Sequence, residues 1–355
     1  MASSPAIVPA RGRGGMLPAA LLSGLVPAGS IVVGLLAFGV FVLAIGANPI
    51  EVYATIVEGG FGSGFSWNNT LLRAAPLILV GLAVAIPAQA GLVVIGGEGA
   101  LALGALGASA VAVPLLPTLG GGALVAGALA GMAAGAAWFA LAGAFRARRG
   151  LNETISSLLL SYIAIAVFNH LVEGPLRDPA SLNKPSTAPL PESAMIGAIP
   201  GLDVHWGLAI GVLACVLAQL ALSRSTAGFA LRVAGGNPRA ALLVGLPVGS
   251  LVVAACALGG AGAGLAGAIE VMAVHGAASA SVLAGYGTTG ILVAFMARQQ
   301  PLAIVPVAIL MGGISAAGSL LQRRLDLPDA TTMVLQGLLF VAILAGDALR
   351  PAARR

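Results

Sequence analysis

Charged side chains are scarce in this chain and fall in clusters, leaving long stretches with almost none: 8% of 355 residues are Asp, Glu, Lys or Arg. A lone charge at the centre of a membrane helix costs about 2.5–3.5 kcal/mol on insertion scales. A chain that keeps its charges out of uninterrupted apolar runs is therefore built to sit in hydrocarbon. The charges that remain mark loops, interfaces or function.

Composition agrees with that constraint. The hydrophobic fraction is 59% and the mean hydropathy +1.03, more than a water-soluble domain needs to fill its core. Ala, Leu, Val, Ile and 51 glycines carry it, and aromatics supply only 5%. Small residues let helices approach closely in a bilayer. Barrel strands alternate apolar and polar residues, whereas these runs are continuous, and irregular backbone cannot face lipid, so the runs are predicted to be helices. The expected fold is an all-α polytopic transmembrane bundle of about ten spans, with broken or re-entrant segments, forming one domain over residues 1–355.

The runs cover residues 25–45, 74–90, 100–116, 122–144, 155–172, 206–222, 241–268, 288–297, 302–321 and 332–345. The first is longer than the apolar core of a signal peptide and reads as a retained span. The short run at 288–297 reads as re-entrant or broken. An even number of crossings puts both termini on one side. With residues 1–23 as a cytoplasmic tail, 12 of the 17 basic residues fall inside, as the positive-inside rule requires. They include Arg11, Arg13, Arg146, Arg148, Arg149, Arg224, Arg232, Arg239 and Arg298, with Arg350, Arg354 and Arg355 at the end. Outside, against the rule, fall the dispersed Arg73, Arg177 and Lys184 and the adjacent pair Arg323 and Arg324, the last with Asp326 and Asp329 as nearby opposite charges.

Between the spans, residues 173–204 form a Pro-rich extracytoplasmic loop, read as an ordered cap or a mobile loop. Residues 223–241 form the largest cytoplasmic segment and are too short for a catalytic or nucleotide-binding domain. In that segment Ser225 or Thr226 can cap a short amphipathic helix, Gly235 and Gly236 allow a turn, and Asn237 with Pro238 starts another helix. Such a helix suits either a push from a cytoplasmic partner or an interfacial anchor.

Candidate path residues surround apparent helix breaks. Pro87, Gly91, Gly96, Gly97 and Gly99 interrupt the second run, with Gln89 and Glu98 beside the interruption. Asn152 can cap the span that follows Arg149, with Glu153 in its first turn. Thr154, Ser157 and Ser161, three and four residues apart, share one face of that span and either line a polar path or bond to their own helix. Gly260, Gly264 and Gly267 read as helix contact, and Glu270 and His275 lie where that helix leaves the bilayer. Trp206, Tyr286 and Phe295 read as interface anchors or stacking surfaces. No catalytic constellation or metal set emerges: Cys215 and Cys256 lie in apolar runs, and the single Ser, His and acidic residues are separated by spans. The net charge of +5 is topology and no nucleic-acid footprint.

These clusters resemble the permease subunits of bacterial ABC importers for nucleosides and simple sugars, the ribose-type branch. The resemblance runs from about residue 71 to 346. It is carried by 76–99, by 151–164, by Thr-Ala-Gly-Phe-Ala-Leu-Arg-Val-Ala-Gly-Gly-Asn-Pro-Arg-Ala-Ala at 226–241, by the glycine run 259–268, and by 285–291 with 298–301. It implies a coupling role for Thr226, Gly228, Phe229, Arg232, Gly235, Asn237, Pro238 and Ala240. It also implies a second permease subunit, identical or homologous, cytoplasmic ATPase subunits that hold ATP and Mg, and an extracytoplasmic solute-binding protein, all at a bacterial inner membrane. The chain itself would be no enzyme and carry no cofactor. Val94 and Ser161 stand where members of this branch commonly have Asn, which touches solute identity. A nucleoside is expected ahead of a simple sugar, and an ion-coupled secondary transporter or a nontransport scaffold is the alternative class.

Overall fold

A computed structural model of the protein describes residues 19–348. The tail arginines Arg11, Arg13, Arg350, Arg354 and Arg355 lie outside the described residues, and residues 19–23 of the expected tail begin the first helix. The described chain is a polytopic all-α bundle, and its pairing outside helices is confined to the isolated bridges Ser186 with Ser279 and Ala198 with His205.

Thirteen α-helices follow one another in the described residues: α1 (Ala19–Ala44), α2 (Pro49–Phe61), α3 (Gly64–Ala88), α4 (Gly97–Leu119), α5 (Gly122–Arg149), α6 (Glu153–Glu173), α7 (Gly207–Arg224), α8 (Thr226–Gly236), α9 (Pro238–Leu243), α10 (Val248–Ile269), α11 (Tyr286–Met296), α12 (Pro301–Leu325) and α13 (Ala330–Ala348). Among the described residues seven spans are long and apolar enough to cross a membrane: α3 to α7, α12, and α10 with its continuation to His275. Helices α1 and α2 form an eighth unit, bent by 117°. The runs at 288–297 and 332–345 fall on shorter apolar helices, so two of the ten expected crossings are not full-length.

Helix α2 was not anticipated, because Glu51 and Glu58 break up its apolar character. Its start is nevertheless well specified: the Asn48 side chain accepts from the Ile50 amide and Pro49 occupies the first turn. Helix α3 likewise begins ten residues before its apolar run, where the Ser63 hydroxyl accepts from Ser66 at 3.1 Å.

The centre is α10, packed along α5, α4 and α3. Glycine makes that packing close. A Cβ added at Gly260 or Gly264 would collide with the carbonyl of Gly135 or Gly131 on α5, and one at Gly267 with the Leu101 carbonyl on α4. The expected glycine face is therefore a helix contact on two sides. Cys215 and Cys256 are buried and free.

Helix polarity gathers the C-terminal ends of α5 and α7, α8, α9 and the turn after α11 at one end of the bundle, with Arg146, Arg148, Arg149, Arg224, Arg232, Arg239 and Arg298. At the opposite end, the segment between α6 and α7 is tied to the chain beyond α10. Leu190 N donates to Gly276 O at 2.8 Å, Ile196 N to Met272 O at 2.8 Å and Thr187 N to Ala278 O at 3.0 Å. These bonds lay the loop over this end of the bundle. The expected offset of Arg323 and Arg324 by Asp326 and Asp329 is replaced by a pairing of Arg324 with Glu58, because α2 brings that carboxylate alongside the end of α12.

Candidate functional site: the broken segment between α3 and α4

Helix α3 ends where Pro87 is followed by Gln89 and the left-handed Gly91, and residues 92–96 run without helix to Gly97. An unwound stretch inside a bundle exposes backbone donors that must be satisfied by protein. The neighbouring helices supply the partners. Ser157 Oγ accepts from Ile95 N at 3.0 Å, Ser161 Oγ accepts from Gly99 N at 2.9 Å, and Thr154 Oγ1 donates to Val93 O at 2.8 Å. The three hydroxyls that share one face of α6 therefore clamp the break, and Ser157 and Ser161 are buried in doing so. Asn152 caps α6 as expected, accepting from Thr154 and Ile155, and the nearby Glu153 pairs with Arg146 at 3.5 Å.

Glu98 has partners that no local reading could supply. Its carboxylate accepts from Gly285 N at 3.0 Å and from Gly287 N, at the start of α11. The starts of α4 and α11 meet there, beside Val80 of α3. A Cβ on Gly97 would lie 3.3 Å from Gly287 Cα, and one on Gly287 would collide with Glu98 N. From this point α4 runs toward the end of the bundle where α10 finishes, and α11 toward the end where it begins. Two helix starts carry partial positive charge, and the Glu98 carboxylate complements the one at α11 directly. With 11 residues, α11 is about 16 Å long, half of a hydrocarbon core of about 30 Å.

The same broken segment touches the basic end. Gly235 of α8 lies against Gln89, Ala90 and Gly91 so closely that a Cβ would collide with the Gln89 carbonyl. Gln89 Nε2 donates to Gln299 O at 3.0 Å, in the turn after α11 where Arg298 and Gln299 both have positive φ. Ser225, one of the two capping candidates, caps α8 and accepts from Gly228 N at 3.0 Å. Gly228 in turn sits on the Ala221 and Leu222 carbonyls, and the Arg232 guanidinium donates to Leu222 O, so α8 is fastened to the end of α7. Asn237 Oδ1 accepts from Ala240 N at 3.1 Å to start α9, with Pro238 in the first turn. Thr226, Phe229, Asn237, Pro238 and Ala240 are exposed, with Phe229 at 62%. The segment 223–241 thus presents an outer face of exposed side chains and an inner face of glycines.

The start of α11 and the turn after it are the parts that sequence reasoning missed. Glycines at 285 and 287 and the Arg298-Gln299-Gln300-Pro301 turn were visible as features, but nothing in one sequence pairs them with Glu98 and Gln89. At the far end, Glu270 is buried within a π-helical turn, Glu270–His275, and its carboxylate lies 3.4 Å from His275 Nε2. His205, just before α7, is also buried, and its Nδ1 accepts from Gly207 N at 3.1 Å. Burial holds the His205 imidazole below its ordinary range, with Glu270 pulling the other way. Among the described residues no three His, Cys, Asp or Glu side chains gather where they could hold a metal ion.

A broken transmembrane segment in contact with a short helix outside the spans is an arrangement found in transport proteins, and comparison with known families decides which kind. The family described as branched-chain amino acid transport system / permease component matches residues 66–344. The chain belongs to this family. It is 32% identical over 334 residues to a glucose ABC transporter permease of Haloferax volcanii, covering 90% of this chain and 87% of that one. It is also 29% identical to a guanosine ABC transporter permease of Bacillus subtilis, covering 92% and 94%. A nucleoside ABC transporter permease of Lactococcus lactis is 26% identical, with 89% of each chain covered. The protein is thus a membrane permease subunit of an ABC-type transporter for a small polar solute.

Proposed function

We propose that this permease is the membrane-spanning subunit of an ATP-driven importer and translocates a nucleoside or a closely related small polar solute. One observation carries the mechanistic part: Gly235 of α8 sits directly on Gln89, Ala90 and Gly91, the start of the broken segment. At Gly235 a displacement of α8 by a cytoplasmic ATPase meets the backbone of that segment directly, with Leu231 packed beside Ala90 and Leu92 in one apolar cluster. From there it meets Thr154, Ser157 and Ser161 on α6, Gln299 after α11, and Glu98 of α4, whose carboxylate holds the start of α11. Thr226, Gly228, Phe229, Arg232, Gly235, Asn237 and Pro238 form the coupling segment in this reading. Exposed Phe229 offers the partner an apolar foothold, while Arg232 and the glycines keep α8 fastened to the bundle. Gln89, Glu98, Thr154, Ser157 and Ser161 shape the path by fixing the backbone beside it.

The partners in this reading are cytoplasmic ABC ATPase subunits, which bind ATP and Mg and hydrolyse the nucleotide, a second permease subunit and an extracytoplasmic solute-binding protein. The basic end faces the cytoplasm of a bacterial inner membrane, in accord with the positive-inside rule. Nucleoside is placed first because two of the relatives above are named for guanosine and nucleoside. The relative named for glucose favours a simple sugar as the second reading.

The test is reconstitution of the permease with its ATPase and binding protein in liposomes. ATP hydrolysis should rise, and labelled solute accumulate, with nucleosides and not with glucose. Stimulation by glucose alone would move the solute to the second reading. Full uptake with a hydrolysis-dead ATPase would end the ATP-driven reading altogether.

A further inference from the structure

Arg323 and Arg324 are the one adjacent pair among the basic residues that break the charge rule, and the structure places them in a cleft. The cleft, of about 220 Å³, lies between the end of α12 and the start of α3. Asn68, close by on α3, donates to Asp203 of the cap loop at 3.4 Å, which fixes this as the end of the bundle opposite α8. Glu58 pairs with Arg324, Nη2 to Oε1 at 2.7 Å and Nη1 to Oε2, and so neutralises one guanidinium. Arg323 has no carboxylate within salt-bridge distance among the described residues. With one carboxylate and two guanidiniums in its wall, the cleft keeps one net positive charge, beside the polar groups of Ser63 and Asn69.

The lining is mixed. Arg323, Ser63, Ser66, Asn69 and Ser319 bring polar groups to it, and Ala316, Leu320 and Phe65 bring apolar ones. Phe65 is 73% exposed and its neighbour Trp67 44% exposed. Aromatic side chains open to the surroundings at a span end are the pattern of a membrane interface, where ring and headgroup share one level. An anion bound by Arg323 while its apolar part lies along Leu320 and Phe65 must itself be amphipathic.

We infer that this cleft binds the headgroup of an anionic phospholipid, its phosphodiester on Arg323 and Asn69 and its acyl chains along Phe65 and Leu320. A guanidinium suits a phosphate because its planar donors match the oxygens in pairs. The site gives the pair at 323 and 324 a reason to stand on the side where basic residues are otherwise few, and it is separate from the broken segment and from α8.

Native mass spectrometry of the full chain, purified in detergent with the subunits it retains, tests this with phosphatidylglycerol and phosphatidylcholine as probes. Wild type should retain phosphatidylglycerol in preference to phosphatidylcholine. Occupancy should fall about fivefold in Arg323→Gln, the factor that about 1 kcal/mol for one basic residue at a membrane surface corresponds to. Ser319→Leu, which fills the cleft without touching a charge, should lower it too, and Arg148→Gln at the opposite end should leave it unchanged. Unaltered elution of each variant as one species shows that the fold is kept. Equal phosphatidylglycerol occupancy in wild type and Arg323→Gln overturns the site. So does equal protection by soluble glycerol phosphate, which would mark a free-anion site. Cross-linking from position 323 to a binding protein, with lipid retention unchanged in the variants, would assign the cleft to protein docking and also overturn it.

Discussion

Glu98 places a carboxylate on two amides that lie 187 and 189 residues further along the chain, at the start of a helix only half a membrane thick. A carboxylate accepting from backbone donors at a helix start is worth more than a neutral acceptor, about 1.5–3 kcal/mol per bond to a charged group. Glu98→Gln keeps the shape but leaves one oxygen to serve two amides. The expected result is a lower unfolding temperature in a thermal scan, with uptake reduced more than ATPase activity. His205 sets a second expectation. Its imidazole titrates below the ordinary value because burial disfavours the charged form. The stability it contributes is present above the unfolded-state value of about 6.5 and is lost as pH falls below it, since only the unfolded chain then takes up the proton. A melting curve that declines between pH 7 and pH 5 in wild type and flattens in His205→Asn would bear this out. Capping residues such as Asn152, Asn237 and Pro238 were legible because capping is a local matter of two to three residues. The partners of Glu98 and Gln89 were not, because a single sequence contains no record of which distant backbone donors a carboxylate or amide will meet.

At the level of helices, the tightest seam runs where α10 crosses α5 and α4, glycine against carbonyl. Gly264→Val must push a branched side chain into the Gly131 carbonyl, and overpacking of this kind costs about 1–3 kcal/mol or more. Loss of folded protein after detergent extraction is the expected readout. Gly235→Val acts on the equally close contact between α8 and the broken segment, at the end of the bundle and outside the α10 seam. Folded protein should be recovered, but solute moved per ATP hydrolysed should fall by about fivefold or more, the lower end of ordinary coupling energies. Unchanged stoichiometry in that variant would count against the coupling role of α8. The apolar runs announced these helices because their length and continuity are set by the bilayer. Helix α2 stayed hidden for the opposite reason: it is short, carries Glu51 and Glu58, and owes its place to packing on α12. The extension of α3 back to Gly64 was hidden too, since Asn68, Asn69 and Arg73 are polar residues on a helix end.

Across the whole molecule, packing is uneven. Within their spans α3, α10, α4 and α12 are mostly buried, whereas α5, α6 and α7 leave most of their residues partly or fully exposed to whatever surrounds the bundle. Hydrogen exchange should report the same gradient, with the amides of α10 and its α5 seam slowest and those of α8 and α9 fastest. The glycine seam also has a mechanical meaning. A joint made of backbone against backbone contains no rotamers that can rearrange and no soft side chains that can absorb a load. Helices α4, α5 and α10 would consequently move as one stiff body, and a thrust entering at Gly91 could not be spent inside it. It would be delivered to the hinges around it, at the unwound residues 92–96 and at the Arg298-Gln299 turn, much as a rigid beam hands its load to its bearings.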